Sequence, residues 1–243
     1  MRRQTQSDDV ERALVELGGY ATLADLYKRI PTQNWGTKTP FATVRRILQM
    51  DPRFFRIRPG LWGLSAQRDL ILDTLQIGAA ASEEQQKAFD HTYYQGLTLM
   101  IGKLRGYEVF APKPDRSKPF LGKPLGAQVS VQQFPRFTYD SLCQRAQTID
   151  VIWFHTREVG LFPNAYFEIE HTTDFNSALI KFTEFQDFRI RFYIVARKER
   201  QGEFQKRIRA SAFDAIRSWV KFVDYEMLVR LYEREVYAQQ AGI

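Results

Sequence analysis

Two apolar stretches in the second half of the chain carry carboxylates. Thr148-Ile149-Asp150-Val151-Ile152-Trp153-Phe154 is otherwise β-branched and aromatic, and Asn164-Ala165-Tyr166-Phe167-Glu168-Ile169-Glu170-His171 follows it closely. Both read as strands, and strand side chains alternate with period two, so Glu168 and Glu170 share a face. Three acids on adjacent apolar strands repel one another and are costly to desolvate. A cation offsets both costs, and a hard divalent ion such as Mg²⁺ takes carboxylate oxygens while keeping waters for a phosphate. The competing reading is a solvated face, because Tyr166, Phe167 and Ile169 can form the core side alone. His171 alternates away from Glu168 and reads as a supporting or structural histidine rather than a base.

The surrounding segments supply the rest of an α/β unit. Ser82-Glu83-Glu84-Gln85 is a capping box opening a long helix through Phe89, Tyr93, Leu97 and Leu104, and a strand follows at 107–110. After the acidic strands come a helix from Asp174, a strand at 191–196, a helix around 204–216, a strand at 220–223 and a terminal helix from Asp224. That order predicts a central mixed sheet flanked by helices. Residues 113–147 form a connection with six basic residues, two acids and four prolines. Its charge suits a phosphate-facing flap using Lys118 and Lys123; a surface insertion is the equal alternative. Lys181 reads as a solvated helix charge, with replacement of a catalytic lysine missing from the acidic strand as the lesser alternative.

The first 78 residues have a different pattern. Three short amphipathic helices are predicted, from Ser7, Thr22 and Thr39-Pro40. A hairpin follows, Phe54-Phe55-Arg56-Ile57-Arg58, Pro59-Gly60, Leu61-Trp62-Gly63-Leu64. Three helices and a hairpin are the order of a winged helix, whose third helix enters the major groove. Thr43, Arg45 and Arg46 on that helix, with Arg56 and Arg58 on the wing, are the candidate DNA contacts, and Arg53 adds to the same basic set. The alternative is a protein-interaction domain with a solvated basic face. The helix-three start and the wing sequence resemble the HARE-type winged-helix family over roughly residues 7–65. Gly78 to Ser82 is the hinge candidate, giving residues 1–78 and 79–243 as the two domains of an α+β protein. Cys143 is the only cysteine, which excludes an internal disulfide. No secretory leader and no run of about 18 apolar residues is present, which predicts a soluble cytoplasmic protein. The net charge of +7 suggests a polyanionic partner.

Asp150 on one strand and Glu168-Ile169-Glu170 on the next resemble the PD-(D/E)xK nuclease superfamily, and within it restriction-endonuclease-like proteins, over about residues 84–197. Two positions depart from the pattern: Ile149 stands where it has Pro, and Glu170 where it has Lys. The resemblance implies that Asp150 and Glu168 bind the metal, helped by the Ile169 carbonyl. Glu170 would then orient or deprotonate water, or hold a second metal. Glu84, His91 and Gln95 are the polar candidates from the upstream helix, with packing as the equal alternative for His91 and Gln95. It further implies a metal-dependent endonuclease for double-stranded DNA, restriction-type or tied to defence or repair, using Mg²⁺ or Mn²⁺ and leaving a 5′-phosphate. A homodimer is implied for double-strand cleavage. The competing functions are a catalytically inactive nuclease-fold regulator or scaffold, and an RNA-processing nuclease. The winged helix argues against the latter, since A-form grooves do not admit a reading helix well.

Overall fold

The computed structural model describes residues 5–171 and 174–241 and divides into two compact units, Met1–Phe89 and Asp90–Ile243. Thr172 and Thr173, just after the acidic strand, lie outside the described residues. Among the described residues the chain is α+β, with nine α-helices and a mixed five-stranded sheet. None of these helices is long and apolar enough to cross a membrane.

In the first unit α1 (Gln6–Glu16) starts at Thr5, not Ser7. Thr5 and Asp8 exchange side-chain and backbone hydrogen bonds in a capping box. A short strand β1 (Tyr20–Thr22) precedes α2 (Leu23–Arg29), whose N-cap is Thr22. Three residues between a Gly-Gly pair and a helix carry no readable period, so sequence patterning misses this strand. Next come α3 (Pro40–Met50), β2 (Phe54–Arg58) and β3 (Leu61–Leu64). The strands form an antiparallel sheet in the order β1-β3-β2, with Gly60 at φ +75° in the hairpin turn. Val10, Leu14, Leu26, Val44, Leu48 and Trp62 share the core beneath the three helices. Helix α4 (Arg68–Thr74) follows.

Helix α5 (Glu83–Leu104) opens on the Ser82–Gln85 capping box and runs into the second unit. The remaining elements are β4 (Glu108–Phe110), β5 (Pro119–Phe120), β6 (Lys123–Pro124), α6 (Asp140–Ala146), β7 (Val151–Arg157), β8 (Gly160–Ile169), α7 (Phe175–Thr183), β9 (Arg191–Ala196), α8 (Gln201–Ile208), β10 (Val220–Asp224) and α9 (Tyr225–Ala241). The sheet order is β10-β9-β8-β7-β4. β10, β9 and β8 are parallel, whereas β8, β7 and β4 are antiparallel. Ile152, Phe154, Tyr166, Phe182, Phe192 and Ile194 are central to its core.

The connection after β4 is partly packed into the fold. Phe120, Leu125, Val129 and Val131 are buried. The Arg116 guanidinium donates to the carbonyls of Ala111, Val131 and Gln132, tying the segment to itself. Gly96 of α5 leaves room for the Phe120 ring, which any Cβ there would overlap. The helix expected at 204–216 stops at Ile208, and a single 3₁₀ turn follows at Ser211–Phe213.

Candidate active site

The register of β7 against β8 brings the acids together. Val151 pairs with Phe167, so one step further Asp150 lies opposite Glu168. Asp150 Oδ2 accepts the Ile169 backbone N–H at 2.7 Å. Glu168 is buried, and both its oxygens accept from Lys181 Nζ, at 3.0 and 2.9 Å. The same ammonium donates to the Thr148 carbonyl at 3.0 Å. The Lys181 side chain is only 18 % exposed, so the solvated reading of this residue is corrected. Asp174 caps α7, and Phe175, Ala178, Leu179 and Phe182 pin that helix to the sheet. Lys181, next to the last of these core contacts, then reaches Glu168. Periodicity marks the apolar stripe of α7 but not the acid its flank meets.

Helix α5 closes the other side. His91 Nδ1 is 3.2 Å from the Ile169 carbonyl and Nε2 is 3.7 Å from Asp150 Oδ1. A carbonyl only accepts, so Nδ1 donates in this contact and Nε2 is the ring nitrogen that faces Asp150. The Ile169 carbonyl, a candidate metal ligand by sequence, is thus engaged by His91. One helical turn on, Gln95 Nε2 donates to Asp115 Oδ2 at 3.0 Å and to the Asp150 carbonyl at 2.8 Å. Asp115, from the connection, also meets Lys118 Nζ at 2.6 Å. Sequence reading missed Asp115; its one available signal is an acid three residues before a lysine in a basic segment.

Burial and neighbouring charge act unequally on these groups. Burial raises the Glu168 carboxyl well above its ordinary range, and the charge of Asp150 adds to it against the pull of Lys181. Asp150 is also raised, by burial first, with His91 opposing. For Asp115 burial pushes up, but Lys118 and Gln95 outweigh it and the net direction is down. Among the described residues, the group able to present three ligand atoms to one ion is His91, Asp115 and Asp150, all within 4.8 Å of one another. Two carboxylates and an imidazole suit a divalent cation. The buried Gln95 Oε1, which has no hydrogen-bond partner, is an acceptor left over beside them.

The other predicted residues are placed as follows. Glu170 is buried beyond the end of β8; its backbone N–H donates to Val195 and its carbonyl accepts from Arg200. His171 meets the Tyr225 hydroxyl at 3.0 Å and Arg197 at 3.1 Å, with Asp90 at 3.7 Å. Glu84 is exposed in the first turn of α5. Arg45, Arg46 and Arg56 are exposed, and Thr43 Oγ1 donates to the Thr39 carbonyl. Arg58 donates to the Ile57 carbonyl and lies over the Phe89 ring. Arg53 is corrected as a surface contact, because its guanidinium binds Asp8, Glu11 and Asp51. Lys123 is exposed on the β5–β6 hairpin, whereas Lys118 pairs with Asp115. A large cavity, about 1360 Å³, is lined by His155, Arg157, Phe162 and Arg191 and does not include the carboxylates.

Residues 74–240 match the family described as the type II restriction enzyme NmeDI C-terminal domain. Searches of curated proteins and of solved structures give no significant match.

Proposed function

The chain belongs to the family of the type II restriction enzyme NmeDI C-terminal domain, and from that premise we propose that it is a metal-dependent endonuclease for double-stranded DNA. The observation that carries the reading is the facing pair Asp150 and Glu168, drawn out of water at the ends of adjacent strands beside Lys181 and His91. Together they form a PD-(D/E)xK-type centre in which Lys181, from the following helix, supplies the positive charge that Glu170 lacks. Such a pair raises the energy of the metal-free protein, which fits a centre built around a cation.

A divalent ion, Mg²⁺ or Mn²⁺, supplies Lewis acidity toward the phosphate and an acidified water. The chain's residues do the rest. Asp150, fixed by the Ile169 N–H, presents Oδ1 toward the ion. Glu168 is the facing carboxylate that holds Lys181 in place, and Lys181 offers a donor to charge developing on the phosphate. Glu170, buried just after β8, is the further acid that orients water or serves a second ion.

The order of elements in the first unit supports a winged-helix reading of residues 1–78. In it α3, with Thr43, Arg45 and Arg46, enters the major groove, and Arg56 and Arg58 on the β2–β3 wing contact phosphate. Residues 79–243 then form the nuclease domain, with Lys123 on its exposed hairpin as a further phosphate contact. One centre cuts one strand, so double-strand cleavage uses two copies of the chain.

The test is cleavage of supercoiled plasmid with Mg²⁺ and with Mn²⁺. Wild-type protein is expected to cut, and Asp150→Ala and Glu168→Ala to lose cutting while still binding DNA. Tight DNA binding without wild-type cutting in either ion would instead establish a non-catalytic DNA-binding scaffold.

A further inference from the structure

We propose that the ion sits on His91 Nε2, Asp115 and Asp150, and that this mixed nitrogen–oxygen set selects Mn²⁺ or Co²⁺ over Mg²⁺. The inference rests on the nuclease reading of the same site and adds where the ion is held and which ion it is. It places the ion on the α5 side of Asp150, reaching across to the connection, rather than between Asp150 and Glu168.

Each donor is already positioned. The Ile169 carbonyl takes the Nδ1 proton of His91, the arrangement by which an outer partner fixes an imidazole for ligation. Asp150 spends Oδ2 on the Ile169 N–H, leaving Oδ1 as the atom 3.7 Å from His91 Nε2. Asp115 is held by the Gln95 amide nitrogen, which also bonds the Asp150 carbonyl. One fully buried side chain therefore sets two ligand-bearing segments against each other.

One further observation points to a hydrated cation. Gln95 Oε1 is buried without a partner, on the same amide whose nitrogen holds Asp115. Water carried by an ion donates hydrogens and satisfies such an atom. Lys118 Nζ, 2.6 Å from Asp115, is a positive charge already drawn to the same carboxylate. It competes with the ion for Asp115.

The donor set decides the metal. Mg²⁺ favours carboxylate, carbonyl and water, and imidazole favours later first-row ions, whose affinities rise from Mn²⁺ through Co²⁺. Asp115 is held on both oxygens, by Gln95 and by Lys118, so the ion takes the place of the Lys118 ammonium at Oδ1.

The full chain titrated with Mn²⁺ and followed by electron paramagnetic resonance tests this without reference to cleavage. The chain has three histidines, so one imidazole ¹⁴N coupling is expected, absent in His91→Ala and unchanged in His155→Ala. Mn²⁺ affinity should fall at least about 10–100-fold in His91→Ala and in Asp115→Asn. His91→Asp, which swaps nitrogen for oxygen, should still bind Mn²⁺ while its preference for Co²⁺ over Mg²⁺ narrows by about tenfold or more. Lys118→Met should bind Mn²⁺ more tightly. A nitrogen coupling that survives His91→Ala overturns the inference. So does affinity untouched by His91→Ala and Asp115→Asn but lost in Glu168→Gln, which leaves the nuclease reading standing. The predicted Mn²⁺ binding with no DNA cleavage would uphold the inference and defeat the nuclease reading.

Discussion

Two carboxylate clusters in this chain meet basic side chains, and the electrostatic results are opposite. In the first unit Asp8 and Asp51 surround Arg53 near the surface, and both carboxyls fall to about 2. For Asp8 the main cause is the Thr5 backbone N–H, then Arg53; for Asp51 it is Arg53 itself. In the second unit Asp150 and Glu168 are pushed up, by burial first, although Lys181 and His91 pull against it. The difference is water. A surface carboxylate keeps its hydration and gains a partner, whereas a buried pair has lost hydration and shares too little positive charge. The first cluster is a hydrated network near the surface; the second is a buried site short of positive charge.

The largest effect that would break this contrast is on cleavage. Glu168→Gln should cut plasmid at least about 10³-fold more slowly than wild type, with the fold intact by circular dichroism. A substitution in the Arg53 cluster should leave the cutting rate of the folded protein close to wild type.

The next effect is on stability. Lys181→Met strands a buried carboxylate and should cost about 3 kcal/mol in urea unfolding, and the double variant with Glu168→Gln should recover most of it. Gly96→Ala drives a Cβ into the Phe120 ring and should cost about 1–3 kcal/mol, displacing the segment that carries Asp115. Arg53→Met, at a partly exposed network, should cost no more than about 1 kcal/mol.

Acidity sharpens the contrast in the metal-free protein. Asp51 has a folded value of about 2 against an ordinary 3.8, so its stabilisation is present above 3.8 and lost as pH falls toward 2. Asp150 and Glu168 are raised, so the folded state binds more protons than the unfolded one, and stability is lost as pH rises past their ordinary values. In chemical denaturation across pH, Asp51→Asn should flatten the acid limb. Asp150→Asn should flatten the decline on the other side.

How much of this the sequence carries depends on whether a residue's role is local. Alternation and capping reveal β7, β8, α5 and α7, and with them Asp150, Glu168, His91 and Gln95. The facing of Asp150 and Glu168 follows from two adjacent strands. Asp115 is invisible to that reasoning, because it lies in a segment without period; Lys181, on the flank of an apolar stripe, is legible only as the lesser candidate for the missing motif lysine. Their partners, Gln95 and Glu168, are 20 and 13 residues away in sequence. Strand alternation also extends too far: β8 ends at Ile169, so Glu170 lies beyond its last residue. The burial of Phe120 in the 113–139 segment likewise depends on a gap at Gly96 on another element.

Plasmid cleavage by Asp150→Asn against wild type, in Mn²⁺ and at matched folded concentration, tests the central claim most directly. The amide keeps an oxygen for the Ile169 N–H but removes the charge. The expected result is intact binding with cutting reduced about 10³-fold or more. Cutting within about tenfold of wild type would contradict a metal-activated centre at the facing acids of β7 and β8.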